Sequence, residues 1–305
     1  MPLPPARFAF ATADFEEADF VILGVPFDRT ASFRSGAMAG PNAIREASQS
    51  FEPYLFEHDL LLTKIKIHDA GNIEDVYTSE EMVKATERRI AEIVDAGKFP
   101  IVLGGDHSVT IPAVRAFKNI GVMTIDAHLD FREQYEGNRL SHACVLRRNA
   151  DQVGIENVLA YGVRSISMEE KEAAMPEYID AFAIEDEGVE KTFKKALNMM
   201  KREEIYFSLD IDGIDPAFAP GTGTPEPFGL SSLDVKTCIR MLAPRMVGFD
   251  VTEVSPPYDK GNTAILAARL VVEVIAVVHK HRERSKQPKR ILRFDITLRS
   301  SQGSP

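Results

Sequence analysis

The chain has 305 residues, 44% of them hydrophobic and 27% charged, with a formal net charge of −10. That composition is ordinary for a globular protein, and the acidic balance argues against nucleic acid or an anionic membrane surface as the main partner. Cys144 and Cys238 stand far apart and read as reduced thiols of a cytoplasmic protein rather than as a disulfide framework.

Residues 1–10 lack the basic start and long apolar stretch of a secretory signal. A first strand is predicted over residues 20–24 (FVILG) and a helix over 80–96, where Met82, Val83, Ile90, Ile93 and Val94 recur at three- and four-residue spacing. Further strands are predicted at 100–104 (PIVLG), 121–126 (GVMTID), 158–162 (VLAYG), 205–210 (IYFSLD) and 246–251 (MVGFDV). Helices are predicted at 189–200, 232–242 and, last, 264–281. The apolar stretch 270–278 is interrupted by Glu273. It is too short to span a bilayer and reads as buried helix.

Continuous apolar strands alternating with helices predict an α/β fold, a mostly parallel sheet with helices on both faces in three layers. No repeat, linker or composition break divides the chain, so one domain over 1–305 is expected, with 282–305 as a loose tail or an arm that pairs with another subunit.

Three short segments carry the chemistry, each directly after a predicted strand. They are Gly104-Gly105-Asp106-His107-Ser108, Asp126-Ala127-His128-Leu129-Asp130 and Asp210-Ile211-Asp212. Ligands of open parallel sheets bind at the carboxyl ends of strands. In extended chain, side chains alternate faces, so Asp126, His128 and Asp130 would project together, and so would Asp210 and Asp212. Alone, each segment has a bland reading: a strand end, a turn in which Asp106 caps the next helix, a solvated loop. Together after three strands they point to a site. Carboxylates massed there would repel one another unless cations intervened. Four carboxylates and two imidazoles are too many ligands for one small ion but suit two, held ~3.5–4 Å apart by bridging carboxylates. Oxygen-dominated ligands with some imidazole favour manganese.

The segments GGDHS, DAHLD and SLDIDGIDPAFAPGTGTPEPFGL resemble signatures of the ureohydrolase family, which contains arginases and agmatinases. SFRSGAMAGPNAIREAS (32–48), YGVRS (161–165) and DVTEVSPPYD (250–259) extend the resemblance over roughly residues 24–278. It implies a doubly wound α/β sheet, a trimer or hexamer, and two Mn2+ per subunit. One ion would be held by His107, Asp126, Asp130 and Asp210, the other by His128, Asp126, Asp210 and Asp212. His142 falls where the family has its proton-shuttling histidine, and Glu253 where a carboxylate pairs with the guanidinium. Two departures remove no ligand. Ala143 follows His142 where many agmatinases have Gly, and Met38 stands where Arg is common.

The guanidinium carbon is a poor electrophile, so a strong nucleophile is needed at neutral pH, and two divalent ions acidify water enough to supply it. Asp130 would take up the water's proton, and His142 would protonate the leaving amine. The implied reaction converts a small cationic guanidino compound to urea and an amine, first of all agmatine to putrescine and urea. An arginase would carry Asn where this chain has Arg132; Glu133 or Glu136 could meet an ammonium, and Arg132 or Arg139 a carboxylate. Arginine and guanidino acids therefore remain as substrates. So do formimino compounds, and a non-catalytic metal-binding scaffold. Alone, His58, His68, His279 and His281 read as surface or structural histidines, and Cys144 as a small buried residue.

Overall fold

The structure, a computed structural model, describes residues 7–286. Its main sheet comprises β1 (Phe20–Val25), β2 (Ile67–Asn72), β3 (Phe99–Gly104), β4 (Gly121–Ile125), β5 (Val158–Val163), β6 (Glu177–Asp180), β7 (Ile205–Asp210) and β8 (Met246–Thr252). The spatial order is β2-β1-β3-β8-β7-β4-β5-β6, and every pairing is parallel. After β3 the chain crosses to β4, three places away, and β7 and β8 later fill the gap. A short antiparallel pair, Tyr54–Leu55 with Leu60–Leu61, lies apart from this sheet.

Alternation along the strands builds two cores. Phe20 and Ile22 of β1 pack into one, Val21, Leu23 and Val25 into the other. The first is covered by α1 (Gly40–Ser48), α6 (Ala181–Glu187), α7 (Val189–Met199), α8 (Ser232–Leu242) and α9 (Asn262–Lys286), the second by α2 (Ser79–Asp95), α3 (Thr110–Arg115) and α4 (Val145–Val153), while the short α5 (Met168–Glu172) lies between β5 and β6 in the chain. The result is the expected three-layer α/β sheet. The six predicted strands are all present. The two unpredicted ones, β2 and β6, are the edges, where one side stays unpaired and sequences such as IHDAGN and EYID carry polar, partly exposed residues.

Local sequence sets the helix starts. Thr78 and Glu81 form a reciprocal capping box at α2, and Ser231 and Asp234 do the same at α8. Helix α9 is long and apolar enough by composition to cross a membrane, yet 67% of its apolar window is buried inside the fold. It also runs past the expected end: residues 282–286 continue the helix, and the Arg282 guanidinium lies over Phe99 and Phe20 at 5.3 and 5.7 Å. That part of the expected tail is therefore docked helix, while residues 287–305 lie outside the described residues.

One buried ion pair ties α1 to the edge of the sheet. Arg45 is 1% exposed, and its Nε and Nη2 donate to the two oxygens of Asp69, each at 2.8 Å. Asp69 also accepts the Phe8 N–H at 2.7 Å. Burial alone would raise the Asp69 pKa, but the Arg45 bonds outweigh it and hold the carboxyl below its usual range. The stability from this pair is thus fully present above the unfolded carboxyl pKa of about 4 and is lost as the pH falls through the lower folded value. Asp69→Asn, which leaves Arg45 buried and unpaired, is expected to cost about 3–5 kcal/mol in urea unfolding at pH 7. Its deficit against the parent should shrink on acidification below pH ~4. Matching urea midpoints at pH 7 would remove the pair from the account of stability.

Candidate metal centre

Four adjacent central strands, β3, β8, β7 and β4, end on one edge, and the acidic and histidine residues sit just past those ends. Period-two alternation is only part of how they converge. Strand β4 stops at Ile125, but the chain stays paired with β5 and the residues after it, through Asp126 N to Tyr161 O at 3.1 Å and a parallel bridge of His128 with Ser165, before Asp130 turns into the left-handed region with φ of 52°. Asp210 ends β7, and Ile211–Gly213 is a single 3-10 turn whose start Asp210 caps by accepting the Asp212 N–H at 2.9 Å. The expected co-facing is met by a short paired continuation of β4 together with turns at Asp130 and after Asp210.

Two glycines permit the close approach. A Cβ at Gly105 would lie 1.9 Å from the Phe27 carbonyl oxygen. Through that contact Asp106 N donates to Phe27 O at 2.7 Å and Glu253 N donates to Gly105 O at 2.8 Å. A Cβ at Gly213 would lie 2.9 Å from Asp126 N, so the β7 turn could not nest against β4.

The six expected ligand side chains come together. His107 Nδ1 lies 3.1 Å from Asp126 Oδ2, 3.1 Å from Asp130 Oδ2 and 3.2 Å from Asp210 Oδ2. His128 Nδ1 lies 3.1 Å from Asp212 Oδ2 and 3.6 Å from Asp126 Oδ1. The possible ligand atoms fall into two groups, each within 4.8 Å: His107, Asp126 and Asp130, and Asp126, His128 and Asp212. Asp126 belongs to both. Asp126, Asp210 and Asp212 are 1–3% exposed and Asp130 is 9% exposed.

Proton counting tests whether cations suit this arrangement. Ser208 Oγ donates to Asp250 at 2.6 Å, so its one proton is used. It lies 3.1 Å from His107 Nε2 and can only accept there, which puts the ring proton on Nε2. A neutral ring would then turn its Nδ1 lone pair on three carboxylate oxygens, so the position calls for a positive charge, either a ring proton or a bound cation. Electrostatics agree. Burial, then the charges of Asp212 and Asp126, pushes the Asp210 carboxyl well above its usual range. Burial opposes protonation of His107, but Asp126 and Asp130 outweigh it and raise its pKa well above normal. Protons are held where positive charge is wanted. The residues fit divalent ions with oxygen and imidazole ligands.

The remaining expected residues line the same cleft. His142, Glu253 and Ala143 form its walls with His128, Asp130 and Asp212. Glu253 Oε1 accepts the His107 N–H at 2.8 Å, and its own backbone is left-handed, φ 61°. Such strain in a non-glycine residue costs on the order of 1–3 kcal/mol and persists only where the surroundings enforce it. Arg132 reaches the cleft, its guanidinium over the Tyr135 ring at 5.3 Å and 3.7 Å from Glu169. Glu133 does not line it: Arg139, Arg147 and Arg148 engage its carboxylate at 2.7, 3.4 and 3.2 Å. The Cys144 thiol is pushed up to about 11 by burial, so it stays protonated and a poor nucleophile. His58 pairs with Glu273 at 2.9 Å and His68 with the Ala13 carbonyl at 2.9 Å, both away from the cleft.

Several supports were not anticipated. Arg164 donates to the carbonyls of Asp212, Gly213 and Glu226 at 2.6, 3.2 and 2.7 Å, bracing the loop under Asp212. Glu170, in the capping box Ser167-x-x-Glu170, accepts the Phe131 N–H at 2.7 Å and anchors the chain after Asp130. That spacing is a readable helix-start signal; its contact with residue 131 is not. Ser208 and Asp250 open the family-like segments at 208–230 and 250–259, but their contacts are not readable there, and Thr30 and Tyr135 carry no local signal.

The arginase family's sequence profile matches residues 18–277. An agmatinase of Pyrococcus horikoshii is 37% identical over 270 residues, covering 87% of this chain and 94% of that protein. An N(1)-aminopropylagmatine ureohydrolase of Thermococcus kodakarensis is 35% identical over 290 residues, covering 90% of this chain and 96% of that one. The crystal structure of the agmatine ureohydrolase of Thermoplasma volcanium superposes with a TM-score of 0.89 at 39% identity, covering 93% of this chain and 97% of that one. By sequence and by fold, this chain belongs to the arginase family.

Proposed function

We propose that this arginase-family enzyme hydrolyses agmatine to putrescine and urea at two manganese ions. One would be held by His107, Asp126, Asp130 and Asp210, the other by His128, Asp126, Asp210 and Asp212. The observation that carries the reading is the pair of ligand clusters sharing Asp126. When bound, two divalent ions acidify a water to give a nucleophile at neutral pH. The ligand set, mostly carboxylate oxygen, favours manganese over zinc or copper.

The chain's own groups supply the rest. Asp130, at the cleft wall beside His107, accepts the proton of the attacking water. Glu253, held by the His107 N–H, pairs with the guanidinium and orients its carbon. His142, on the same wall, gives a proton to the departing amine. Four ligand carboxylates balance two divalent ions, and Glu253 leaves the cleft net negative, which favours a cation over an anionic ester or phosphate.

Agmatine leads because the similar proteins named above act, by their names, on agmatine or an aminopropyl form of it. One feature favours a second reading: the Arg132 cation in the cleft would suit the carboxylate of a guanidino acid. The family resemblance also supports a cytoplasmic homo-oligomer, a trimer or hexamer of single-domain subunits, and light scattering reads its size.

Turnover of the manganese-loaded protein, measured as urea release from agmatine, aminopropylagmatine, guanidinobutyrate and arginine and as formamide release from formiminoglutamate, is expected to be fastest with agmatine. Urea from guanidinobutyrate alone would move the choice to the guanidino acid, formamide from formiminoglutamate alone would move it to a formimino compound, and no product from any of the five would favour a scaffold. Asp126→Ala is expected to lower bound manganese below two per chain in elemental analysis, since the shared ligand is lost; unchanged content would refute its assignment. His142→Ala should keep both ions and lose about 10²–10⁴-fold in kcat. Undiminished turnover would assign amine protonation to another group.

A further inference from the structure

His142 is held from behind by a chain of groups that ends on a buried acid. We propose that Thr30 is a positioning residue for His142: with Asp106 behind it, it fixes the ring's tautomer so that Nδ1 carries the resting proton and Nε2 serves the cleft. The proposal rests on the reading of His142 as the proton donor to the leaving amine.

The argument is again proton counting. Asp106 is fully buried. Its Oδ1 accepts the Ser108 N–H at 3.1 Å and the Ser108 hydroxyl. Its Oδ2 accepts the Thr30 N–H at 3.1 Å and the Thr30 hydroxyl at 2.9 Å. Each oxygen thus receives one backbone N–H and one hydroxyl, the pattern of a carboxylate. A threonine hydroxyl has one proton, and Thr30 gives it to Asp106. Towards His142 the same oxygen can only accept. It takes the His142 backbone N–H at 3.0 Å and lies 3.2 Å from Nδ1. Nδ1 must therefore carry hydrogen.

Two other groups touch the ring. Ser141 Oγ lies 3.3 Å from Nδ1 and is the rival partner, because its own hydroxyl proton could point at that nitrogen and reverse the tautomer. Tyr135 meets the ring edge-on at 5.8 Å and restrains its tilt. With Nδ1 committed to Thr30, the neutral ring presents a bare Nε2 to the cleft. A proton taken from solvent sits on Nε2 and passes to the amine nitrogen as its carbon–nitrogen bond breaks, which returns the ring to the Nδ1–H form. The same device stands behind His107, where Ser208 passes its proton to buried Asp250. Thr30 and His142 are 112 residues apart, so no sequence spacing reveals the pair.

The test is nitrogen-15 NMR of the histidine rings in protein carrying diamagnetic Mg2+ in place of manganese, with the His142→Ala spectrum assigning the signal, together with agmatine kinetics of the manganese enzyme. The parent is expected to show His142 as the Nδ1–H form. Thr30→Val should lose that preference and lower kcat by about tenfold or more, with KM and metal content unchanged. Thr30→Ser, which keeps the hydroxyl, should keep both the tautomer and kcat, and Ser141→Ala should keep the tautomer. An Nε2–H ring in the parent would overturn the proposal whether or not Thr30→Val folds. So would a Thr30→Val protein with the parent tautomer and kcat. Full activity of His142→Ala would instead sink the reading of His142 as proton donor, while the tautomer would still report on Thr30.

Discussion

Four carboxylates crowd against two imidazoles at the buried end of this sheet, and their mutual repulsion is the constraint around which the rest is arranged. Asp126, Asp130, Asp210 and Asp212 lie within a few ångströms of His107 and His128, largely out of water. Unit charges at such distances cost about 4 kcal/mol per like pair even at an effective dielectric of 20. Nothing in the hydrophobic layers offsets that. Two divalent cations would, and Nδ1 of His107, turned towards three carboxylate oxygens, marks where one would sit in place of the ring proton.

Several of the fold's local irregularities serve this one place. Four central strands deliver the groups to a single edge. Glycines at 105 and 213 let backbones approach where any Cβ would collide. Asp130 and Glu253 adopt left-handed backbone that neither side chain prefers. Behind the two histidines with the most specific tasks stand a hydroxyl and a buried acid: Ser208 with Asp250, and Thr30 with Asp106. Supports of this kind fix which ring nitrogen faces the reacting groups, and geometry of that precision decides whether a proton donor or a ligand is ready to act.

Much of this was legible in the residues. The six central strands were readable because buried parallel strands are continuous runs such as IVL and IYFSL, and the ligands because each cluster directly follows one. The edge strands at 67–72 and 177–180 were not, since a strand paired on one side need not be apolar throughout. Reading Asp126, His128 and Asp130 as an extended row reached the right gathering with only part of the geometry, because the chain stays paired as far as His128 and turns at Asp130. The end of the last helix was missed because Arg282 looks like solvated tail, yet lays its guanidinium on Phe99 and Phe20. Thr30, Arg164 and Asp250 act through partners 40 to more than 100 residues away, beyond the reach of any local pattern.

The central claim is that two ions share this cluster through a common carboxylate. Electron paramagnetic resonance of the manganese-loaded protein tests it most directly, because two ions joined by a shared ligand are magnetically coupled. The account predicts an exchange-coupled pair signal that fills in as manganese approaches two per chain. A spectrum of isolated, uncoupled manganese at that loading would contradict it.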